Sequence, residues 1–197
     1  MPTVVFGTGV LYSTDMIDPD VVGQAMEFST KAHEGQRRLD AKQIPYITHV
    51  AEVAELVERS GGNQLEIAAA WLHDIVEHTK TTLDDIRTLF GDEVAQLIDE
   101  LTDPKEFDSM PISERKTNQA ARIKEKSASA RRIKLADQSS NVLLVGGGVL
   151  LETDPIESLD YVEGAKKVAD ACAGVSPMLD KVFAEAYKSG VARYRHI

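Results

Sequence analysis

Residues 67–74 read IAAAWLHD, and this stretch decides the fold. Its first six residues are apolar around the whole circumference of a helix, and such a helix is usually buried at the centre of a protein. The pattern therefore predicts a central helix over about residues 65–77. His73 and Asp74 follow the apolar run directly, so the predicted core helix also carries two side chains capable of chemistry.

Helical periodicity extends over most of the chain on both sides of this run. Asp18-Pro19 is a typical helix start, and a capping box at residues 82–85 is expected to open a helix that Gly91 ends. No useful stretch within residues 19–190 alternates with a period of two, and only residues 4–12 resemble a strand. The fold class is therefore predicted to be all-α. Further helices are predicted over residues 49–59, 94–101, 113–126, 127–145, 158–173 and 176–189.

The composition excludes several classes of protein. The 197 residues suffice for one domain with a buried core. Lys and Arg number 22 against 32 Asp and Glu, and the resulting charge of −10 argues against binding to nucleic acid or to an anionic membrane surface. The single cysteine, Cys172, excludes an internal disulfide framework. We expect a cytoplasmic globule, because no apolar run approaches the ~20 residues of a membrane span and no signal peptide is evident. The sequence leaves open whether the protein forms a homo-oligomer.

Four side chains form a candidate metal-binding set: His49, His73, Asp74 and Asp137. Adjacent residues on a helix lie about 100° apart, so His73 and Asp74 can lean toward one ion. Two imidazoles and two carboxylates, without sulfur, suit a divalent transition ion and leave manganese, iron and zinc open. Spacing alone is a weak criterion, because a His-Asp pair on a helix is more often a surface pair. The apolar surroundings strengthen the prediction, because a charge buried there needs a partner.

The order of these residues resembles the H…HD…D pattern of the HD-domain metallophosphohydrolases. Longer motifs resemble the RelA/SpoT-type alarmone hydrolase domain within that superfamily. The resemblance covers about residues 20–145, with several motifs in the right order, and no motif can be placed beyond residue 146. The matching segments are AHEGQRR at 32–38, PYITH at 45–49, AWLHDIVEHT at 70–79, FGDEV at 90–94, LTD at 101–103, and IKLAD at 133–137 followed by Asn141.

The resemblance implies an HD-domain helical bundle with extra C-terminal helices. It implies a single hydrolase domain over residues 1–197, with a motif-bearing core at about 19–145 and a helical extension at 146–197. Members of the family remove the 3′-pyrophosphate from hyperphosphorylated purine nucleotides such as guanosine tetraphosphate, using a bound manganese ion. The chain is too short for the synthetase and regulatory domains of the long members, so we expect a stand-alone small alarmone hydrolase.

The resemblance implies that the four candidate ligands bind manganese. It also implies that Glu77 and His78, near the end of the motif at residues 70–79, are catalytic. Glu77 lies four residues after His73, on the same helix face, and is expected to act as a general base or to position water. His78 departs from the family, which usually has Asp there. Three outcomes stay open: the imidazole protonates the leaving group, the original chemistry is weakened, or the substrate differs.

Five side chains are expected to bind the nucleotide: Arg38, Lys42, Tyr46, Lys134 and Asn141. Arg38 and Lys42 belong to a basic loop in an acidic chain, which suits an anionic ligand, although such cations are often merely solvated. Tyr46 either contacts the nucleotide or is a packed aromatic. Lys134 and Asn141 lie three residues before and four after the last metal ligand, hence on its helix face.

Three functions remain open from the sequence. The first is manganese-dependent hydrolysis of the 3′-pyrophosphate of guanosine tetra- and pentaphosphate. The second is an HD-type hydrolase acting on another nucleotide, including the adenosine analogue of the alarmone. The third is an alarmone-binding protein that has lost catalysis through His78. Guanine and adenine differ at the base edge, and the recognition of that edge depends on loop geometry that no sequence pattern specifies.

Overall fold

The computed structural model describes residues 20–38, 43–146 and 154–195. Within these ranges the regular structure is helical, apart from an isolated bridge between Arg37 and Pro45. The α-helices are α1 (Val21–Ala32), α2 (Ile47–Arg59), α3 (Gln64–Leu72), α4 (Ile75–His78), α5 (Leu83–Leu101), α6 (Ile112–Lys124), α7 (Ala128–Gly146), α8 (Pro155–Cys172) and α9 (Pro177–Tyr194). A short 3-10 helix, Lys105–Ser109, lies between α5 and α6.

The prediction of an all-α fold is confirmed. The predicted helix start at Asp18-Pro19 and the strand-like residues 4–12 lie outside the described residues. Among the helices that the structure describes, none combines the length and the apolarity that crossing a membrane requires.

Helix α3 lies at the centre of the bundle, as its composition predicts. Ala68, Ala69, Ala70 and Leu72 are completely buried, and α3 packs against α1, α2, α5 and α7. The alanines present little bulk, so the neighbouring helices can approach the axis of α3 closely. The helix therefore delivers the residue after Leu72, which is His73, into the interior.

The predicted helix over residues 65–77 is wrong in being continuous, because it breaks at residues 73 and 74 before α4. Helix α3 ends at Leu72, and Asp74 adopts φ −100° and ψ 1°, outside the helical region. The Asp74 carboxylate accepts a hydrogen bond of 2.5 Å from the Tyr46 hydroxyl. The chain thus turns before α4 at a residue that contacts a distant part of the sequence. The two potential ligands His73 and Asp74 lie in this turn rather than side by side on one helix.

Helix α7 is the second buried helix and carries the polar part of the interior. Every residue from 133 to 140 is buried. Helix α2 packs against α7, and the C-terminal helices α8 and α9 also contact it, while α8 packs along α6. Buried polar side chains need internal hydrogen-bond partners. The partners that α7 finds on α2 and α6 determine the geometry of the site.

Side-chain caps begin α5 and α9, whereas α6 begins without one. Thr82 and Asp85 form the predicted capping box at the start of α5, and Ser176 caps α9. Ser113 does not cap α6, which begins one residue earlier. Pro111 precedes the helix with extended backbone angles, and its carbonyl accepts the first helical hydrogen bond. The first turn is therefore closed without a side-chain cap.

Gly91 divides α5 into two segments by a kink. Its backbone angles, φ +86° and ψ 171°, fall in a region that is essentially restricted to glycine. The prediction that a helix ends at Gly91 is confirmed in this sense. The kink redirects the chain so that Val94 and Ile98 in the second segment reach the core.

Replacing Gly91 with alanine is expected to lower the free energy of unfolding by about 1–3 kcal/mol, because a Cβ strains this backbone conformation. Space is not limiting, since no heavy atom lies within 4 Å of the position that the Cβ would take. The matched control is Glu93→Ala at an exposed site of the same helix, which should change stability by less than about 0.5 kcal/mol. Urea denaturation followed by circular dichroism measures both variants, and equal losses would contradict the strain argument.

Candidate metal centre and active site

Two helices and one turn bring the four predicted ligands together. His49 comes from α2, His73 and Asp74 from the turn between α3 and α4, and Asp137 from α7. The Nε2 atom of His49 lies 3.5 Å from both Asp74 Oδ2 and Asp137 Oδ1, and His73 Nε2 lies 3.2 Å from Asp74 Oδ2. Donor atoms of His49, His73 and Asp74 all lie within 4.8 Å of one another. These groups are close enough to share one ion.

Hydrogen bonds behind the two imidazoles determine which ring nitrogen faces the cluster. His49 Nδ1 lies 2.9 Å from Ser140 Oγ, and the Ser140 hydroxyl donates its proton to Glu52 Oε2 at 2.6 Å. Ser140 therefore accepts a hydrogen bond from His49 Nδ1–H. His73 Nδ1–H donates to the Ala70 carbonyl at 2.8 Å. In the neutral rings both Nε2 atoms then carry lone pairs that face the cluster, as metal-binding histidines require.

The Nε2 atom of His73 is buried and makes no hydrogen bond within the described part of the chain. Its 3.2 Å approach to Asp74 Oδ2 is close enough for ionic attraction but is not aligned as a hydrogen bond. A lone pair that faces a carboxylate oxygen is repelled unless a positive charge lies on one of the groups or between them. Two nitrogen and two oxygen donors around this point fit a divalent transition ion.

Asp137 is held at both of its carboxylate oxygens. Oδ1 accepts a hydrogen bond from Asn141 Nδ2 at 2.6 Å, and Oδ2 accepts one from Gln138 Nε2 at 2.9 Å and lies 3.3 Å from Lys134 Nζ. Burial would raise the pKa of Asp137, but the Lys134 ammonium and the neighbouring histidines hold it well below its usual range. The carboxylate is therefore ionised and fixed in orientation.

His73 and Asp74 shift each other's pKa in opposite directions. Burial would lower the pKa of His73, but the Asp74 carboxylate, together with Asp137 and the Ala70 carbonyl, outweighs this effect and the pKa rises to about 9. Burial would raise the pKa of Asp74, and His73 is the main group that holds it well below its usual range. Without a metal, the cluster therefore retains a proton on His73, and a divalent ion must displace that proton to bind.

The predicted catalytic residues, Glu77 and His78, lie on α4 at the exposed side of the cluster. Each places a ligand atom within 4.8 Å of the other and of Asp74. Glu77 Oε1 accepts a hydrogen bond from Asp103 N–H at 2.7 Å. Although Glu77 is partly open to solvent, desolvation raises the pKa of its carboxyl, against the opposing effect of the Lys134 ammonium. A carboxylate with a raised pKa beside the cluster has the properties of a general base.

Four of the five predicted nucleotide-binding residues form one polar network with the ligand carboxylates. Tyr46, Lys134 and Asn141 each contact one of these carboxylates. Arg38, which is only 8% exposed, donates to Asn141 Oδ1 at 3.0 Å. Lys42 lies outside the described residues. The role of all five toward a nucleotide stays a prediction.

The side chains that orient the ligands were missed from the sequence: Glu52, Ser140 and Gln138. Glu52 and Ser140 each follow a predicted ligand by three residues on the same helix, a spacing that indicates a shared face. That spacing becomes informative only when α2 and α7 are known to face each other. Lys116 on α6, which donates to Gln138, shows no local pattern at all.

Comparison with known protein families identifies the domain that carries this site. The family model described as HD domain matches residues 25–146, which is more than half of the chain. The chain belongs to the HD domain family. The match ends with α7, so α8 and α9 lie beyond the HD domain model.

Relatives of this HD domain have similar length and the same fold. The mouse and human proteins named guanosine-3′,5′-bis(diphosphate) 3′-pyrophosphohydrolase MESH1 are 31% and 32% identical to it over 167 residues, which is 84% of this chain and 92% of each relative. A solved structure of a metazoan orthologue of SpoT, described as hydrolysing ppGpp, matches with a TM-score of 0.79 at 28% identity. The match covers 87% of this chain and 96% of that one, and it confirms the predicted HD-domain bundle with extra C-terminal helices.

In the metal-free HD domain, the His73 imidazole should titrate near pH 9 rather than at its ordinary 6.5. The stability that its proton contributes is complete below pH 6.5 and is lost as the pH rises through 9. Divalent-ion affinity should rise over the same interval, because the ion displaces that proton. Asp74→Asn should lower the pKa of His73, because burial then lowers it without the opposing effect of the Asp74 carboxylate.

Histidine side-chain titration by NMR, on chelator-treated protein, measures this pKa in the wild type and in Asp74→Asn. The matched control is Asp92→Asn, which removes an exposed carboxylate that is not part of the cluster and should leave His73 unchanged. A His73 pKa that is the same in both variants would contradict the pairing of His73 with Asp74.

Proposed function

We propose that this HD domain hydrolyses the 3′-pyrophosphate of guanosine tetraphosphate and pentaphosphate. The observation that carries the proposal is the convergence of two buried imidazole Nε2 atoms and two ionised carboxylates beside the exposed pair Glu77 and His78. The mouse and human relatives, matched over nine-tenths of their length, are named for this reaction. The products are diphosphate and the guanosine 5′-diphosphate or 5′-triphosphate.

Manganese is the ion that we propose for the cluster, held by His49, His73, Asp74 and Asp137. A set of imidazoles and carboxylates without thiolate suits this ion. When bound, it lowers the pKa of coordinated water and neutralises charge on phosphoryl oxygens. The hydrogen bonds behind the ligands orient them before an ion arrives, which reduces the cost of assembling the site.

Glu77 accepts the proton of the attacking water in the proposed reaction. The water oxygen forms a bond to the phosphorus that is joined to the ribose 3′ oxygen, and the bond between that phosphorus and the ribose oxygen breaks. His78, on the same short helix, donates a proton to the departing 3′ oxygen, which becomes a hydroxyl. The hydrogen bond from Asp103 N–H keeps the Glu77 carboxylate in place during the proton transfer.

Arg38, Lys42, Tyr46, Lys134 and Asn141 form the proposed nucleotide side of the site. The Arg38 guanidinium can bind phosphate oxygens or a base edge with two parallel hydrogen bonds. Lys134 offsets the negative charge that the phosphates bring beside Asp137. The reaction needs no nucleic-acid or membrane partner, and we place it in the cytoplasm.

His78 favours a second candidate, the adenosine analogue of the alarmone. The family pattern has Asp at this position, and an imidazole there changes the charge beside the substrate. A third function, binding of the alarmone without turnover, follows if His78 cannot perform the proton transfer of the family residue.

Chelation followed by manganese add-back tests the proposed function. The protein is incubated with 3′-pyrophosphorylated guanosine and adenosine nucleotides, and the products are resolved by ion-exchange chromatography. We expect diphosphate and guanosine 5′-diphosphate from guanosine tetraphosphate with manganese, and no product after chelation. Faster turnover of the adenosine substrate supports the second candidate, and tight binding without products supports the third. A protein that binds no divalent ion contradicts all of the hydrolase proposals.

Variants of the two residues on α4 test their separate roles. Glu77→Gln is expected to lower kcat by about 10²–10⁴-fold, because the proton acceptor is lost while the metal ligands remain. His78→Asp should retain turnover with a pH profile shifted to lower pH, because a carboxylic acid loses its proton at lower pH than an imidazolium. Steady-state kinetics as a function of pH measure both, with Glu93→Ala as the matched control. Loss of all turnover in His78→Asp would contradict the proton-donor role.

A further inference from the structure

A buried lysine on α6 is connected to the metal cluster through one amide side chain. Lys116 is only 4% exposed, and its Nζ donates to Gln138 Oε1 at 2.7 Å. Gln138 is 1% exposed, and its Nε2 donates to Asp137 Oδ2 at 2.9 Å. Both ends of the Gln138 amide are therefore used, one on α6 and one at a proposed metal ligand.

The chemistry of the three groups fixes the orientation of the Gln138 amide. An ammonium can only donate hydrogen bonds, so the amide oxygen must face Lys116. An ionised carboxylate can only accept, so the amide nitrogen must face Asp137. A flipped amide would place its oxygen against the Asp137 carboxylate and its NH₂ against the Lys116 ammonium. Lys116 thus strengthens the preference for the one orientation that supports Asp137.

Helix α8 holds Lys116 in this position from the opposite side. The Lys116 ammonium lies 4.7 Å from the ring centroid of Tyr161, a favourable cation–π distance. Gly164 faces the lysine stem so closely that a Cβ there would lie 2.8 Å from Lys116 Cγ and 2.9 Å from its Cβ. Only a residue without a side chain leaves room for Lys116 at this crossing of α6 and α8. The family model match ends at residue 146, so the support comes from a helix beyond the matched HD domain.

We propose that Lys116 and Gln138 are positioning residues that couple α8 to the metal ligand Asp137. This inference rests on the proposed role of Asp137 as a ligand. Loss of Lys116 frees the Gln138 amide to reorient, and the Asp137 carboxylate then loses one of the groups that fix Oδ2. The expected consequence is weaker binding of the divalent ion in a protein whose four ligands are all intact.

Isothermal titration of chelator-treated protein with manganese chloride measures the coupling. Lys116→Met keeps the length and apolar bulk of the stem but removes the donor, and it should weaken manganese affinity by about 10-fold. Gln138→Leu should weaken it by about 10–100-fold. The double variant should bind no more weakly than Gln138→Leu, because the hydrogen bonds that link Lys116 to Asp137 pass through Gln138.

Two further substitutions, both on α8, test the contact between this helix and Lys116. Gly164→Ala leaves Lys116, Gln138 and Asp137 in place as residues but displaces the stem of the lysine. It should therefore also weaken manganese affinity. The matched control is Lys167→Ala, which removes another contact between α8 and α6, the 3.1 Å hydrogen bond to Thr117. It should leave the affinity unchanged. Circular dichroism establishes that each variant is folded at the temperature of the titration, and Gly164→Ala provides the test if Lys116→Met does not fold.

Several outcomes would overturn the inference. These are an unchanged affinity in Lys116→Met, additive losses in the double variant, and an equal loss in Lys167→Ala, which would indicate general loosening of the interface between α6 and α8. A wild type that binds no divalent ion overturns this inference together with the proposed function. A wild type that binds manganese but releases no diphosphate overturns the proposed enzyme activity alone, because the affinity differences among the variants would still stand.

Discussion

The site depends on the compensation by positive charge of two ionised carboxylates, the buried Asp137 and the partly buried Asp74. Asp74 and Asp137 approach the same imidazole nitrogen, so their repulsion acts in surroundings that contain little water. Without a metal, Lys134 and the proton on His73 supply the compensation. A buried charge that loses its partner costs several kcal/mol, so this balance constrains every residue in contact with the cluster.

The fold places the compensating charges beside the carboxylates by packing an apolar helix, α3, against a more polar one, α7. Helix α3 is dominated by apolar side chains and excludes water, whereas α7 carries buried charged and amide groups near its middle, at residues 134–138. The hydroxyl of Ser140 and the carbonyl of Ala70 orient the two imidazoles from behind. Because these groups sit within or at the end of packed helices, the donor atoms keep their spacing without help from a mobile loop.

Much of the fold follows from local patterns, whereas the inner arrangement of the site does not. The buried position of α3, the capping box at Thr82 and the break at Gly91 are all determined by a few neighbouring residues, so the sequence predicts them. The break after α3 lies where Asp74 contacts Tyr46, which is far away in sequence, and local periodicity wrongly extends the helix through Asp74. The types of ligand were visible in the sequence. The side chains that orient the ligands could not be predicted, because they meet the ligands only after α2, α6 and α7 have packed.

The contact between Arg38 and Asn141 has a consequence for how the site distinguishes between ligands. One N–H of the Arg38 guanidinium donates to Asn141 Oδ1, and the Asn141 amide nitrogen donates to Asp137 Oδ1. A ligand that binds the Arg38 N–H or the Asn141 oxygen engaged in this bond has to replace the bond between the two side chains. A ligand without a matching acceptor and donor does not compensate for the lost hydrogen bond, so the pair penalises near-cognate compounds that displace it.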